Sequence, residues 1–431
     1  MKRIGIDIGT SSICGVVCDE KGQLLRTLTR ANDAAIEGIP LWAFQQDAER
    51  ILNIVKGLLG DLIEDEVTSI GFSGQMHGMV YVDASGQSVS PLYTWQDGST
   101  ALEYADGKSY AKWLTERSGY EVASGYGLAT HFYHLKQRSV PASAVKLCTI
   151  MDYVAMNLCG RKEPLCEPSN AASLGFFNKR LLRFDLEAMQ LVGIDASILP
   201  EVCPAGTLVG HYGKVPVFVP IGDNQAAFLG SVSDKANSLH VTIGTSSQLS
   251  VYSDEYVEVP SLDTRPLPGG GYLLVGAALC GGCSFALLKD FYAQVVEMFT
   301  GKSLSDGELY EKMCQLAAKE TDGLMVQTTF DGTRQDAALR GSVAGISLRN
   351  YTPDRLTTAF LKGICQELHG FCEHLPAEVR SSRKVVVGSG NGLRKNSLLQ
   401  QLLSEAFGLP VIMTDCEEEA ALGAAISPTC V

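Results

Sequence analysis

The pentapeptide Ile-Gly-Thr-Ser-Ser occurs twice, at Ile8–Ser12 and at Ile243–Ser247, each time after one apolar run and before another. A tight turn of glycine and small hydroxyl residues between two strands lets backbone N–H groups and hydroxyls converge on phosphate oxygens without obstruction. One such turn reads as an ordinary hairpin; two at matched positions, about half the chain apart, signal a phosphate held by paired loops. Neither is a Walker sequence or a G-x-G-x-x-G fingerprint, because each joins two strands rather than a strand to a helix. A dinucleotide-binding dehydrogenase is accordingly not expected.

Two carboxylates stand beside such features. Asp7 lies between Ile6 and Ile8 in an apolar strand, where a bare charge is costly unless it meets a cation or hydrogen-bond donors. Carboxylate and water ligation suits Mg²⁺ accompanying a nucleotide, which makes Asp7 a metal-linked candidate. Asp223 follows the apolar Val217–Ile221 and precedes Asn224 and a helix start at Ala226-Ala227. In isolation that triplet fits a helix N-cap as well as a catalytic base. Other groupings read as structure. Cys280-Gly281-Gly282-Cys283 has thioredoxin-like spacing but no second CxxC, and its glycines fit a packed turn. His131 and His134 interleave with Phe132, Tyr133 and Leu135, which favours packing over metal binding. Glu417-Glu418-Glu419 reads as a solvated helix N-terminus, favoured by the helix dipole and assigned no chemistry.

The elements that must position these residues follow from periodicity. Arg3–Ile8, Ser12–Cys18 and Gln23–Thr29 form a predicted antiparallel meander, turned at Asp19–Gly22. A helix is expected over 46–63, with Ile51, Leu52, Ile54, Val55, Leu58, Leu59 and Leu62 on its buried face, then a strand at Thr68–Phe72. Leu239–Ile243 and Gln248–Tyr252 repeat the strand-turn-strand pattern. They are followed by a helix at Pro353–His374, a strand at Lys384–Val387, a glycine-rich turn over 388–392 and a helix at Asn396–Phe407. The repeat predicts two similar α/β domains, 1–216 and 217–431, with a loop from each reaching into a cleft between them.

The chain has 431 residues, enough for two or three domains at roughly 100–200 residues each. With 45% hydrophobic and 19% charged residues it has a globular composition. Lys and Arg number 35 against 48 Asp and Glu, a net charge of −13 with no basic tract, so nucleic acid and anionic membrane surfaces are not expected partners. The 13 scattered cysteines read as thiols of a reducing cytoplasm. The charge at Asp7 interrupts any signal peptide, so no export is expected. Pro266–Leu288 is uncharged, but its prolines and glycines predict a buried strand and a helix start rather than a membrane span.

Taken together, DIGTSS at the N-terminus, SGQMHG at Ser73–Gly78, TWQD at Thr94–Asp97, GDNQAA at Gly222–Ala227, the second GTSS and GSGNGLRKN at Gly388–Asn396 resemble the FGGY family of carbohydrate kinases. They stand in the family's order over essentially the whole chain. YGLATHFYHLK at Tyr126–Lys136, MDYVAMNLCG at Met151–Gly160 and NAASLGFFN at Asn170–Asn178 resemble the sedoheptulokinase branch most, then xylulokinase-like enzymes.

The resemblance implies two ribonuclease-H-like domains of the actin and hexokinase superfamily, flanking a catalytic cleft that closes on ATP and a sugar. It implies transfer of the γ-phosphate of ATP to a primary hydroxyl of a ketose, sedoheptulose before xylulose, in the cytoplasm. Asp223 matches the catalytic base and Asp7 the Mg²⁺-associated carboxylate. Gln75, Met76, His77, Trp95, Asp97, Asp223 and Asn224 fall at sugar positions. Thr10, Ser11, Ser12, Gly244, Thr245, Ser246, Gly388, Ser389, Gly390 and Asn396 fall at nucleotide positions, with Asn396 near the adenine. Ser99 stands where this branch usually carries Arg, the Lys136 segment lacks the usual Trp, and a chain ending at Val431 implies a trimmed second domain. A homodimer is left open. The rival classes are an actin-like ATPase, which needs neither the polyol pocket of SGQMHG nor the base of GDNQ, and a nucleotide and sugar sensor that keeps the cleft but has lost turnover.

Overall fold

The structure is a computed structural model that describes residues 1–333, 336 and 338–429. Two units are separated by their internal contacts. One comprises Met1–Gly230, Arg265–Tyr272 and Glu418–Val431, and the other Ser231–Thr264 and Leu273–Glu417.

The first unit is built on six strands: β1 (Lys2–Ile8), β2 (Ser12–Asp19), β3 (Leu24–Ala31), β4 (Val67–Gly74), β5 (Leu208–Tyr212) and β6 (Val215–Phe218), in the order β5-β6-β4-β1-β2-β3. β1, β2 and β3 form the expected antiparallel meander, and β4 runs parallel to β1. The register places Asp7 between Cys14 of β2 and Ser73 of β4. The first predicted helix is α1 (Ala48–Leu62), capped by Asp47 accepting from Arg50 N, and the seven expected apolar residues are all buried. The predicted domain junction near residue 216 falls within β6, which pairs with β5 and with Ile70 of β4. Contacts divide the chain after Gly230 instead, because Val217–Ile221 is a buried strand end leading into α2 (Asp223–Ser231) of the same unit.

Alternation along β1 buries Ile4, Ile6 and Ile8 on the core face and turns Gly5 and Asp7 to the other. On that other face lies the C-terminal helix, Glu419–Ile426. Gly5 and Gly71 are partners in the β1–β4 register. A Cβ on either would sit 1.9 Å from a helix carbonyl, that of Ala421 or of Ala424. A Cβ on Gly230 of α2 would sit 2.0 Å from Glu419 O of the helix, and one on Gly423 of the helix 1.8 Å from Ala226 O of α2. Glycines thus bring β1, β4, α2 and the C-terminal helix together, and with them Asp7 and Asp223. Gly71→Ala should lower unfolding free energy by about 3 kcal/mol, since backbone on both sides must shift. Gly60→Ala, on the exposed face of α1 with open space around its Cβ, should raise it by roughly 0.5–1 kcal/mol. Denaturant midpoints of the two variants test the contrast.

The second unit carries β7 (Ser238–Ile243), β8 (Ser247–Ser253), β9 (Asp263–Pro266, whose last two residues belong to the first unit), β10 (Tyr272–Ala278), β11 (Val385–Ser389) and β12 (Val411–Met413), in the order β9-β10-β8-β7-β11-β12. Its hairpin β7–β8 and parallel neighbour β11 repeat the arrangement of β1, β2 and β4. Helices α3 (Pro353–Glu373) and α4 (Ser397–Phe407) bury Leu361, Ile364, Leu368, Leu399 and Leu403 in a core with Leu239, Val241 and Val386. The uncharged stretch at 266–288 becomes β10 and the start of a helix, Gly282–Thr300. No helix among the described residues is long and apolar enough to cross a membrane.

Candidate active site

In the first unit the turn from β1 to β2 is fixed through its carbonyls. Asn32 Nδ2 donates to Gly9 O (2.8 Å), Gln46 Nε2 to Thr10 O (2.8 Å) and Asn32 N to Ser11 O (2.9 Å). Acceptors face inward, so the Ser11 and Ser12 side chains stay exposed. Thr10 Oγ1 receives the indole N–H of Trp95 at 3.1 Å and contacts Gln75 Oε1 at 3.4 Å, while Gln75 Nε2 donates to Gln46 Oε1 at 2.8 Å. Thr10, Gln75 and Trp95 therefore form one network with Gln46, whose role the sequence did not disclose.

Asp7 Oδ1 accepts from Ser73 Oγ at 2.7 Å. Burial pushes Asp7 up to about 6; the Ser73 hydrogen bond opposes this and the charge of Glu418 adds to it. Asp223 is the first residue of α2, and its Oδ1 accepts from Asn224 N at 2.6 Å. Burial is the main cause that raises Asp223 to about 7, and Asp7 pushes the same way, against the Asn224 N–H and the Arg265 guanidinium. Two like-charged carboxylates thus share one field. Among the described residues no set of three or more His, Cys, Asp or Glu side chains has metal-ligand geometry. A carboxylate pair of this kind fits Mg²⁺, which takes one or two protein carboxylates and completes its shell with water and phosphate. Glu418 corrects the solvated reading of the acidic run: Glu417 is exposed, but Glu418 is half-buried and its charge reaches Asp7 and Cys14.

The other sugar candidates are held from behind. Met76 is buried against Gly222, where a Cβ would lie 2.7 Å from its sulfur. His77 has φ 73°, in the left-handed region that non-glycine residues rarely adopt. It is held there by Ser173, whose Oγ accepts from His77 N (3.0 Å) and whose carbonyl meets Nδ1 (2.9 Å), and by stacking on Tyr126 at 4.5 Å. Asp97 is buried with Oδ1 on Ser99 N (3.0 Å), whereas Oδ2 has no partner among the described residues. Burial raises its pKa, against the hydrogen bonds from Ser99 and Phe44 that lower it. Trp95 is 47% exposed. His131 and His134 instead share the hydroxyl of Tyr81, at 2.7 and 3.2 Å, and burial pulls both down to about 4.

In the second unit Gly244 N donates to Ser246 O (2.9 Å), and the carbonyls of Gly244 and Thr245 accept from the N–H groups of Gly281, Gly282 and Cys283. Thr245 and Ser246 remain exposed. The CxxC segment is thus a backbone support for this loop. Gly390 has φ 84°, and a Cβ there would meet Ile243 O at 2.5 Å, which brings the glycine-rich turn against the second GTSS. Gly388 leaves room for Leu393 and Met413. Ser389 turns its Oγ inward to Thr242 Oγ1 (2.8 Å) and His240 Nε2 (3.0 Å). Asn396 is buried as the N-cap of α4, its Oδ1 accepting from Leu399 N at 3.0 Å.

Profiles of the FGGY family of carbohydrate kinases match both halves, the N-terminal domain over residues 3–238 and the C-terminal domain over 239–427. The chain belongs to that family. Human sedoheptulokinase is 30% identical over 473 aligned residues, which span 98% of this chain and 96% of the relative. A glycerol kinase of Aquifex aeolicus is 25% identical over 98% of this chain and 88% of its own. The crystal structure of a ligand-bound xylulose kinase from Lactobacillus acidophilus superposes with a TM-score of 0.83 at 19% identity, over 99% of this chain and 88% of that one. This FGGY kinase accordingly has two mixed α/β domains, each with a six-stranded sheet, and is an ATP-dependent sugar phosphotransferase. The sensor and actin-like ATPase readings give way to that membership.

Proposed function

We propose that this kinase phosphorylates a primary hydroxyl of a ketose in the cytoplasm, with sedoheptulose, giving sedoheptulose 7-phosphate, ahead of xylulose. The observation that carries the reading is Asp223: a carboxylate at a helix start, beside Asn224, lifted to about 7. A base with a pKa near the working pH accepts a proton well while remaining substantially ionised. Asp223 removes the proton of the sugar hydroxyl as that oxygen attacks the γ-phosphorus of ATP in line. Gln75, Met76, His77, Trp95, Asp97 and Asn224 hold the sugar, with Asp97 Oδ2 accepting a hydrogen bond from a sugar hydroxyl. The GTSS loops, through Thr10, Ser11, Ser12, Gly244, Thr245 and Ser246, hold phosphate oxygens; Gly388, Ser389, Gly390 and Asn396 shape the nucleoside site. Asp7, acting through water, would hold Mg²⁺, which supplies charge neutralisation for the transferred phosphoryl group. The identity to human sedoheptulokinase supports the choice of sugar.

Sugar-dependent ADP release across sedoheptulose, D-xylulose, D-ribulose, L-ribulose, L-fuculose, D-fructose and glycerol tests the assignment. Sedoheptulose should give the highest kcat/KM; a clear preference for xylulose or glycerol would overturn the sugar while leaving the base. His77→Ala should raise the KM for sugar about tenfold, the cost of one good hydrogen bond, with little change in the KM for ATP. Equal changes in both constants would make His77 a structural residue.

A further inference from the structure

Arg265 belongs to none of the motifs, yet it lies against the first turn of α2. Its Nη1 donates to Asn224 Oδ1 at 3.2 Å, and its charge acts on Asp223. It stands at the start of Arg265–Tyr272, a segment that belongs to the first unit. One residue on, Pro266 O accepts from Nε2 of the fully buried Gln225 at 3.2 Å. At the far end Tyr272 Oη donates to Lys179 O at 3.1 Å. The turn between is closed by Leu267 N on Gly271 O and Gly270 N on Leu267 O, both 3.0 Å. The guanidinium therefore sits on a short strap pinned at both ends.

A guanidinium has donors only, so the amide atom that it faces must be the oxygen. Asn224 is then left with its NH₂ edge for any other group. An unanchored asparagine amide can turn over and offer either edge; this one is fixed. We propose that Arg265 is a positioning residue that holds Asn224 with its donor edge toward the sugar, so that the site recognises a lone pair on the oxygen adjacent to the reacting hydroxyl. The inference rests on the kinase reading above, with Asn224 at the sugar. Asp223 accepts a proton from one oxygen and Asn224 donates to the next, a pairing that fits the terminal vicinal diol of a sugar chain. An analogue without the second oxygen leaves the amide N–H groups unmatched, and this is where discrimination is strongest.

The test compares the preferred sugar with its analogue deoxygenated at the carbon next to the phosphorylated one, in the wild type, R265M, R265K, N224A and R265M/N224A. The wild-type preference for the parent sugar, in kcat/KM, should fall about tenfold in R265M, with the KM for ATP unchanged. R265K, which keeps a donor, should recover part of it. R265M/N224A should discriminate no less than N224A, because Arg265 acts through Asn224. An R265M enzyme that slows equally on both substrates, or a double variant whose losses multiply, would overturn the proposal. Thermal midpoints identify a misfolded R265M, and R265K then carries the comparison. A wild type with no sugar-dependent ADP release would remove the kinase reading itself, whereas an active wild type with unaltered selectivity in R265M removes only the role of Arg265.

Discussion

Asp223→Asn should yield a folded enzyme that binds sugar and ATP but turns over roughly 10²–10⁴-fold more slowly, the range associated with loss of a general base. The substitution keeps the shape of the side chain and an oxygen able to accept from Asn224 N. It removes the proton acceptor and one of the two negative charges that share the field. KM values should move far less than kcat, because the loss falls on an interaction made in the transition state. Sugar-dependent ADP release at pH 8, beside calorimetric binding of each ligand, measures both parts. Turnover within a few fold of the parent would take Asp223 out of the base role. Loss of sugar binding with retained kcat at saturation would make it a ligand-holding residue only.

The part of this site legible in the sequence is the part written by local pattern. The meander around the first GTSS shows in the alternation Ile4, Ile6, Ile8, and α1 in its seven apolar positions. The second GTSS repeats the signal because β7, β8 and β11 repeat the geometry of β1, β2 and β4. Asp223 could be read either as an N-cap or as a base, and the local sequence holds no more than that. Its carboxylate does accept from the adjacent N–H, while its elevated pKa comes from burial and from Asp7, more than two hundred residues away in the chain. Glu418, Arg265 and Gln46 escaped notice for the same reason. Glu418 looked like one of three solvated acids, yet the glycine contacts of the C-terminal helix carry it to Asp7. Arg265 reaches Asn224 of α2 from strand β9, and Gln46 supports Thr10 from just before α1. Two prolines and an apolar run over 216–221 mark a domain junction and an ordinary strand such as β6 alike.

Asp7→Asn should separate the field of this carboxylate from its place in the fold. In kcat/KM against pH the acid limb of the parent should lie near 7, because the base must be unprotonated and Asp223 is raised to about 7. The negative charge of Asp7 is one of the causes of that elevation, so a neutral residue there lets Asp223 ionise at lower pH. The acid limb should therefore move downward while the plateau falls by about 10² as support for the metal and the transferred phosphoryl group is lost. The stability change should have the opposite sense. Asp7 is itself raised to about 6 in the folded protein, above its ordinary value, so its ionised form opposes folding. The parent binds more protons folded than unfolded across the interval from the ordinary carboxylate range to about 6, and its stability falls as pH rises through it. Asparagine can still accept from Ser73 Oγ and carries no charge. At pH 8 the variant should thus be the more stable protein, by on the order of 2 kcal/mol, and the gap should close as pH drops below 6 toward the ordinary carboxylate range. An acid limb that stays near 7 in Asp7→Asn would show that the two carboxylates do not share a field. A variant less stable than its parent at pH 8 would show that Asp7 is held for the fold rather than for the reaction.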